Sequence, residues 1–274
     1  MTAYQIIACD MDETLLSSDA TICRRNIEAI AAARRAGVKF VPATGRGYAS
    51  LEGVLKSTGL WQQEKEYVIS FNGGCITENK SNRRLYWNPL PFTTAAALYE
   101  KGIAYGLCLH AYTADTVYIY RPSAAEIHFL NGRMAFTETT ERSLDFLAGQ
   151  DIVKLIYMHP DMTYLQNLQK ELQPLLRSVC VSFSSNRYLE FANEGVTKAA
   201  ALYKLADLLH VPYAETLAIG DNINDAAMLR AAGLGVGVAN LHEAIREDCD
   251  VVTAATNNEG AVAEAITRFV LNHT

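Results

Sequence analysis

Long hydrophobic runs are missing from this sequence of 274 residues. No apolar stretch approaches the ~18 residues that a membrane-spanning helix needs, and no basic leader precedes the first apolar run. We therefore expect no membrane partner and no secretory signal. The six cysteines lie far apart and form no CxxC pair. This spacing argues against a disulfide framework or a zinc site, and it predicts reduced thiols in a cytoplasmic protein.

Positive charge is also scarce, because 24 lysines and arginines stand against 30 acidic residues. A net charge of -6 argues against a nucleic-acid partner, since such proteins normally present a basic face. Half of the residues are hydrophobic, which excludes a largely disordered chain. The length allows one large domain or two unequal ones. The classes that remain are a globular enzyme and a small-ligand binding module.

Apolar runs alternate with helical segments at both ends of the chain. The runs at 4–9, 38–43 and 67–71 are typical of buried parallel strands, and those at 216–219 and 234–238 repeat the pattern. Strands that alternate with helices predict an α/β fold with a doubly wound parallel sheet.

The middle of the chain has a different texture, with tyrosine-rich alternating segments and two helical runs. Alternation of this kind predicts an antiparallel sheet in an inserted α+β domain. We place the α/β core domain at 1–85 and 188–274 and the insert at 86–187.

Four polar groups lie just after predicted strands or at the starts of predicted helices, where α/β sheets bind their ligands. Asp10 and Asp12 come directly after the first strand. Two carboxylates there are costly unless a positive group lies nearby, which favours a metal or nucleophile site. A solvated turn with a helix cap is the alternative. Thr44, Gly45 and Arg46 follow the second strand and suit an anion, although Thr44 also suits an ordinary helix N-cap.

Two further polar groups lie near the end of the chain. Lys198 stands in the first turn of a predicted helix, where it opposes the helix dipole unless an anion compensates it. A solvated lysine is the simpler interpretation of that position. The segment 220–225 brings two carboxylates and two amides after a strand, and a capping turn explains only one of these side chains.

In order and spacing these motifs resemble the haloacid dehalogenase superfamily, and more narrowly its Cof-type phosphatases with a class IIB cap. The motifs are DxDxTLL at 10–16, TGR at 44–46, GVxK at 195–198 and GDxxND at 220–225. The resemblance covers essentially the whole chain, and the insert matches the cap of that family in position and texture.

The resemblance implies a phosphatase that hydrolyses small phosphorylated metabolites (sugar phosphates, nucleotides or cofactor phosphates) through an aspartyl phosphate. It implies that Asp10 is the nucleophile and that Asp12 is the general acid and then the base. It also implies Mg²⁺, held by the Asp10 carboxylate, the Asp12 backbone carbonyl and the Asp221 carboxylate. A cation at this position screens the charge of the phosphate from the attacking carboxylate.

The remaining motif residues take supporting roles in the same resemblance. Asp225 is expected to support the metal through water or to orient Lys198, and Arg46 and Asn72 are expected to line the floor or entrance of the site. The groups that are expected to bind the phosphoryl oxygens are Thr44, Gly45, Lys198, Asn224 and the backbone amide of Met11.

The chain departs from the family pattern at Glu13 and Ala199, where glycine is usual, and we expect no catalytic side chain at either position. Three other functions stay open: a phosphomutase of hexose phosphates, a phospho-acceptor signalling domain and a non-catalytic binding module. The insert and the second carboxylate at Asp12 favour turnover over storage of the phosphoryl group.

Overall fold

The computed structural model describes residues 4–272, which form two compact units. The first unit contains the chain up to Trp87 and again from Thr197, and the second unit is Asn88–Val196. Within the described residues, no helix is both long and apolar enough to cross a membrane.

The first part of the first unit alternates strands and helices and then ends in two more strands. Its elements are β1 (Ile6–Cys9), α1 (Arg24–Arg35), β2 (Lys39–Pro42), α2 (Glu52–Ser57), β3 (Tyr67–Ser70), β4 (Cys75–Glu78) and β5 (Arg83–Trp87). The sequence predicts β1 to β3 but not the strands β4 and β5. These two pair with β3 as an antiparallel three-stranded sheet.

The second unit is an α+β domain built on a six-stranded sheet. Its elements are α3 (Phe92–Ala104), β6 (Cys108–Tyr112), β7 (Val117–Tyr120), α4 (Ala124–Leu130), β8 (Thr137–Thr139), β9 (Lys154–Met158), α5 (Met162–Glu171), β10 (Val179–Ser184) and β11 (Tyr188–Asn193). The strand order is β10-β11-β9-β6-β7-β8, antiparallel except for the parallel pair β7 and β8.

The end of the second unit differs from the predicted end of the insert at 187. Strand β11 pairs with both β10 and β9, so the segment after Arg187 completes the antiparallel sheet of this unit. Because these ladder hydrogen bonds join β11 to its neighbours, the compact unit extends to Val196. The limits of a functional cap at 86–187 stay a prediction.

The chain then returns to the first unit. Its last elements are α6 (Lys198–Leu209), β12 (Thr216–Gly220), α7 (Ala226–Ala231), β13 (Leu234–Gly237), β14 (Val251–Val252) and α8 (Ala261–Ile266). The parallel sheet has the order β14-β13-β12-β1-β2, and a parallel bridge between Ala43 and Ile69 links β2 to β3.

Both faces of the parallel sheet are covered, as expected for a doubly wound fold. Ile7 and Cys9 of β1 belong to a core cluster with residues of α1 and α8, whereas Ile6 and Ala8 belong to one with residues of α6 and α7. Successive strand side chains point to opposite faces, so an entirely apolar strand fits a sheet with helices on both sides. The predicted fold class is confirmed.

Candidate active site

Asp10 stands at the point where β1 ends. Its backbone N–H donates to the carbonyl of Ile219 at 2.9 Å, which extends the β1–β12 pairing by one residue. The chain then makes a tight turn over Met11–Leu15, in which Asp12 and Glu13 leave helical geometry. The Asp10 side chain is thereby fixed at the carboxyl end of the sheet, where ligands bind in α/β folds.

Lys198 opens α6, and the start of this helix is held from two sides. The Thr197 hydroxyl caps the helix by accepting from the N–H of Ala200 at 3.0 Å. Gly73 packs so closely that a Cβ there would stand 2.2 Å from the Thr197 carbonyl oxygen. Lys198 is 2% exposed, and its Nζ donates to the carboxylate of Asp10 and to Oδ1 of Asp225 at 2.6 Å.

Asp221 and Asp225 are placed by the turn after β12. Oδ2 of Asp225 accepts from the backbone N–H groups of Asp221 and Asn222, each at 3.2 Å. Gly220 permits this turn, since a Cβ there would lie 2.6 Å from the Asp225 Cβ. The Asp221 carboxylate in turn accepts from the hydroxyl of Thr14 at 2.5 Å.

Burial controls the electrostatics of this cluster. Burial raises the pKa of Asp10 well above its usual range, and the charge of Asp225 adds to the rise while Lys198 opposes it. Burial also raises the pKa of Asp221 to about 6, although the hydrogen bond from Thr14 works against the rise. For Lys198, burial works to lower the pKa, but the charges and hydrogen bonds of Asp10 and Asp225 outweigh it and raise the pKa.

The donor set fits a divalent cation. Asp10, Asp221 and Asp225 each place a carboxylate oxygen within 4.8 Å of the others. Lys198 contacts two of these three buried carboxylates, Asp10 and Asp225, and the excess negative charge that remains is costly without a further cation. Carboxylate and carbonyl oxygens are the protein ligands that Mg²⁺ prefers.

The Thr44 motif lies beside this cluster. The N–H of Ala43 donates to the carbonyl of Cys9 at 2.8 Å, so the segment continues the β1–β2 pairing up to Thr44. Thr44 is buried, and its hydroxyl accepts from the N–H of Arg46 at 3.1 Å. The Asn72 side chain approaches Gly45, at 3.1 Å from where a Cβ would stand.

Asp12 lies outside the carboxylate cluster. Its side chain is 54% exposed and receives two hydrogen bonds from the Arg46 guanidinium, one of them at 3.1 Å. A bidentate arginine fixes the direction of a carboxylate as well as its place. The geometry thus joins Asp12 to Arg46, a pairing that the sequence did not predict.

The remaining residues named from the sequence differ in exposure and in backbone conformation. Asn224 is exposed in the single 3-10 turn Ile223–Asp225, while the Met11 side chain is fully buried in the apolar core. Ala199 lies in the first turn of α6 with regular helical backbone, so glycine is not required there. Glu13, by contrast, has a φ of 60°, a conformation that favours glycine.

Thr14 is a site residue that the sequence reasoning missed. It is fully buried, and its hydroxyl contacts Asp221, which follows a distant strand. A threonine that directly precedes the apolar pair Leu15 and Leu16 is the signal that could have found it, since a buried hydroxyl needs a hydrogen-bond partner.

With this geometry established, a family model described as haloacid dehalogenase-like hydrolase matches residues 7–266. The chain belongs to the haloacid dehalogenase-like hydrolases. The family resemblance drawn from the motifs is therefore confirmed, and with it the prediction of a phosphatase.

Relatives of this haloacid dehalogenase-like chain are named as phosphatases, and the similarity covers nearly the whole length of each chain. The 5-amino-6-(5-phospho-D-ribitylamino)uracil phosphatase YcsE of Bacillus subtilis is 30% identical, with 97% of this chain and 96% of that protein covered. The pyridoxal phosphate phosphatase YbhA of Escherichia coli is 25% identical, with 98% of each chain covered. A solved subclass IIB sugar phosphatase shares the fold with a TM-score of 0.84 at 20% identity, covering 97% of this chain and 98% of that one.

Proposed function

We propose that this phosphatase hydrolyses monophosphate esters of small metabolites through an aspartyl phosphate on Asp10. The observation that carries the proposal is the contact of the Asp10 carboxylate with the buried Lys198, which Asp225 holds from its other side. A carboxylate nucleophile divides a very slow hydrolysis into two easier steps. The lysine reduces the repulsion between that carboxylate and an anionic phosphate.

The two steps use Asp10 and Asp12 in turn. A carboxylate oxygen of Asp10 attacks phosphorus, the bond to the leaving oxygen breaks, and Asp12 gives that oxygen a proton. Asp12 then takes a proton from water, and the resulting hydroxide attacks the aspartyl phosphate. The phosphorus–oxygen bond to Asp10 breaks, inorganic phosphate leaves, and both carboxyl groups return to their starting states. The Arg46 contact fixes the direction of the Asp12 carboxylate.

Mg²⁺, when bound, would supply positive charge beside the transferring phosphoryl group. The Asp10 carboxylate, the Asp12 backbone carbonyl and the Asp221 carboxylate are the groups that we propose hold it. Thr14 keeps the Asp221 carboxylate in one orientation through its hydrogen bond. Asp225 orients Lys198 by the contact at 2.6 Å.

The phosphoryl oxygens need donors as well as charge. We assign this role to Lys198 and to four further groups, namely the Thr44 hydroxyl, the Gly45 backbone, the Asn224 side chain and the Met11 N–H. Asn72 and Arg46 line the site and hold the segments that carry these donors. Gly45 suits a backbone that approaches a phosphate closely.

The substrate class is a phosphorylated sugar, nucleotide or cofactor. Two relatives are named for small phosphate esters, pyridoxal phosphate and 5-amino-6-(5-phospho-D-ribitylamino)uracil, which supports a small phosphorylated metabolite as the substrate. All of the proposed catalytic groups belong to the first unit. We therefore propose that the inserted cap, 86–187, selects among substrates through contacts beyond the phosphate. The six free cysteines support a reducing compartment such as the cytoplasm.

A phosphate-release screen over a metabolite panel with Mg²⁺ tests the proposal. We expect Asp10→Asn to abolish turnover, because an amide is a poor nucleophile, while thermal unfolding shows the fold intact. Chelation should remove activity, Mg²⁺ should restore it, and the larger Ca²⁺ should not. Release at the wild-type rate by Asp10→Asn, or activity that survives exhaustive chelation, would overturn the mechanism.

The same assays separate the rival functions. A phosphomutase given a hexose phosphate yields its isomer and little free phosphate. A phospho-acceptor domain holds its aspartyl phosphate for much longer than the seconds expected of an enzyme. A binding module releases no phosphate from any ester in the panel.

A further inference from the structure

Glu13 has a strained backbone conformation, and it lies between Asp12 and Thr14, which both have roles in the proposed mechanism. It has φ 60° and ψ 10°, in the left-handed region that residues with a side chain rarely adopt. Asp12 precedes it with extended geometry, at φ -74° and ψ 126°. Strained residues of this kind persist only where the surrounding structure holds them in place.

Two asparagine side chains hold Glu13 from opposite ends, and we call them the amide clamp. The Asn240 side-chain N–H donates to the backbone carbonyl of Glu13 at 2.9 Å, and that of Asn257 donates to the Glu13 carboxylate at 3.1 Å. The two asparagines are also bonded to each other, because the backbone N–H of Asn257 donates to Oδ1 of Asn240 at 2.8 Å. Asn257 is buried and also donates to the carbonyl of Leu16 at 3.0 Å.

The clamp holds the carbonyl of the Glu13–Thr14 peptide and the Glu13 side chain, and through the fixed backbone of Glu13 it restrains the preceding peptide, which joins Asp12 to Glu13. The φ angle of Glu13 sets the plane of this peptide, and the carbonyl of that peptide belongs to Asp12. A glycine at position 13 would reach the same φ without strain, but it would also reach several others. A glutamate held at its carbonyl and its carboxylate keeps one conformation.

We propose that Glu13 is a positioning residue, which acts through the amide clamp to fix the Asp12 peptide and so the direction of the Asp12 carboxyl group. Arg46 holds the same carboxylate directly, so Asp12 is restrained from both sides. The inference rests on the proposed role of Asp12 as acid and base. It makes Glu13 a functional substitute for the glycine that the family usually has there.

The test compares two phosphate esters that differ in their need for a general acid. Glycerol phosphate has a poor leaving group and requires protonation, whereas nitrophenyl phosphate has a good one. Glu13→Gly should lower kcat for glycerol phosphate about tenfold and kcat for nitrophenyl phosphate no more than about twofold. Glu13→Gln should stay within about twofold of wild type on both, because its amide oxygen can still accept from Asn257.

Ala20→Gly is the matched control. Ala20 is exposed in the same loop and has φ 63°. A glycine there gains the same backbone freedom as one at position 13, but no contact with the clamp is lost. We expect it to leave both rates unchanged. Equal losses on the two esters by Glu13→Gly overturn the positioning role, because a smaller folded fraction lowers both rates alike. An unchanged rate with glycerol phosphate overturns it as well, and so does an equal defect in Glu13→Gln.

Asp12→Asn in the same assay separates this inference from the proposed function. If Asp12→Asn keeps the wild-type rate with glycerol phosphate, the acid role of Asp12 is wrong and the inference falls with it. If Asp12→Asn is impaired and Glu13→Gly is not, the inference alone is wrong.

Discussion

Asp225→Asn keeps the shape of a buried side chain and removes its charge. Asp225 is fully buried, with one carboxylate oxygen on Lys198 and the other on the backbone N–H groups of Asp221 and Asn222. An asparagine offers a single acceptor oxygen. If that oxygen still accepts hydrogen bonds from the two backbone N–H groups, the amide NH₂ faces the ammonium group of Lys198. Two hydrogen-bond donors then face each other with no acceptor between them.

The size of the effect follows from these contacts. Loss of a hydrogen bond to a charged group costs about 1.5–3 kcal/mol, and a buried donor left without a partner costs about 1–3 kcal/mol more. One effect opposes the loss, because the charge of Asp225 raises the pKa of Asp10. Its removal relieves this repulsion and so offsets part of the loss. We expect the free energy of unfolding to fall by roughly 3 kcal/mol, which lowers Tm by roughly 6–12 °C.

Thermal unfolding without metal measures this shift, and phosphate release should fall about 100-fold because Lys198 loses its anchor. The matched control is Asp248→Asn, since Asp248, whose side chain is 21% exposed, forms its ion pair with the 58% exposed side chain of Arg230 in the same unit. An exposed pair contributes about 0–1 kcal/mol, so Tm should change little. Equal Tm shifts in the two variants would refute the view that Asp225 anchors a buried lysine.

Two further predictions concern packing and pH. Gly220→Ala places a Cβ 2.6 Å from the Asp225 Cβ and should destabilise the fold by about 1–3 kcal/mol in denaturant unfolding. Gly53→Ala, in α2 with no atom within 4 Å of its Cβ, should stabilise by up to about 1 kcal/mol, so a loss as large there contradicts the packing argument. Burial lowers the pKa of His110 from 6.5 to about 3, although Oε1 of the buried Glu126 lies 3.4 Å from its Nε2. Below pH 6.5 the His110 imidazole is protonated in the unfolded chain but stays neutral in the folded chain. The free energy of unfolding therefore falls by up to about 1.4 kcal/mol for each pH unit, down to about pH 3. His110→Phe should reduce the dependence of the free energy of unfolding on pH, whereas His128→Phe, at an exposed position, should not. Equal pH dependence in the wild type and both variants would contradict the role of His110.

The doubly wound sheet is readable from the sequence because each strand carries its own burial pattern. Every residue of β1 is apolar and buried, which is how a strand covered on both faces must be composed. Strand β5 was missed because it lacks such a burial pattern. None of the five residues of β5 is buried and its first two are the exposed Arg83 and Arg84, so the strand carries only a weak apolar signal.

The residues of the site were readable from their places at strand and helix ends. Asp10 and Lys198 are 188 residues apart, yet both were expected at one edge of the sheet, because parallel strands end there together. Their roles came from the family resemblance and not from spacing. The hydroxyl of Thr14 was missed, because nothing local to 10–16 shows that it meets Asp221.

The sequence by itself determined the order along the chain of the strands in the parallel sheet and of the helices between them, the class of the fold and the polar segments that gather at one edge of the sheet. These depend on the periodicity and burial of short segments, which each segment carries in its own residues. Only the tertiary structure decided which polar atoms meet: Arg46 with Asp12, Asp225 with Lys198, and Asn257 with Glu13 across 244 residues. A hydrogen bond requires distances correct to a few tenths of an ångström, and the packing of whole elements sets those distances.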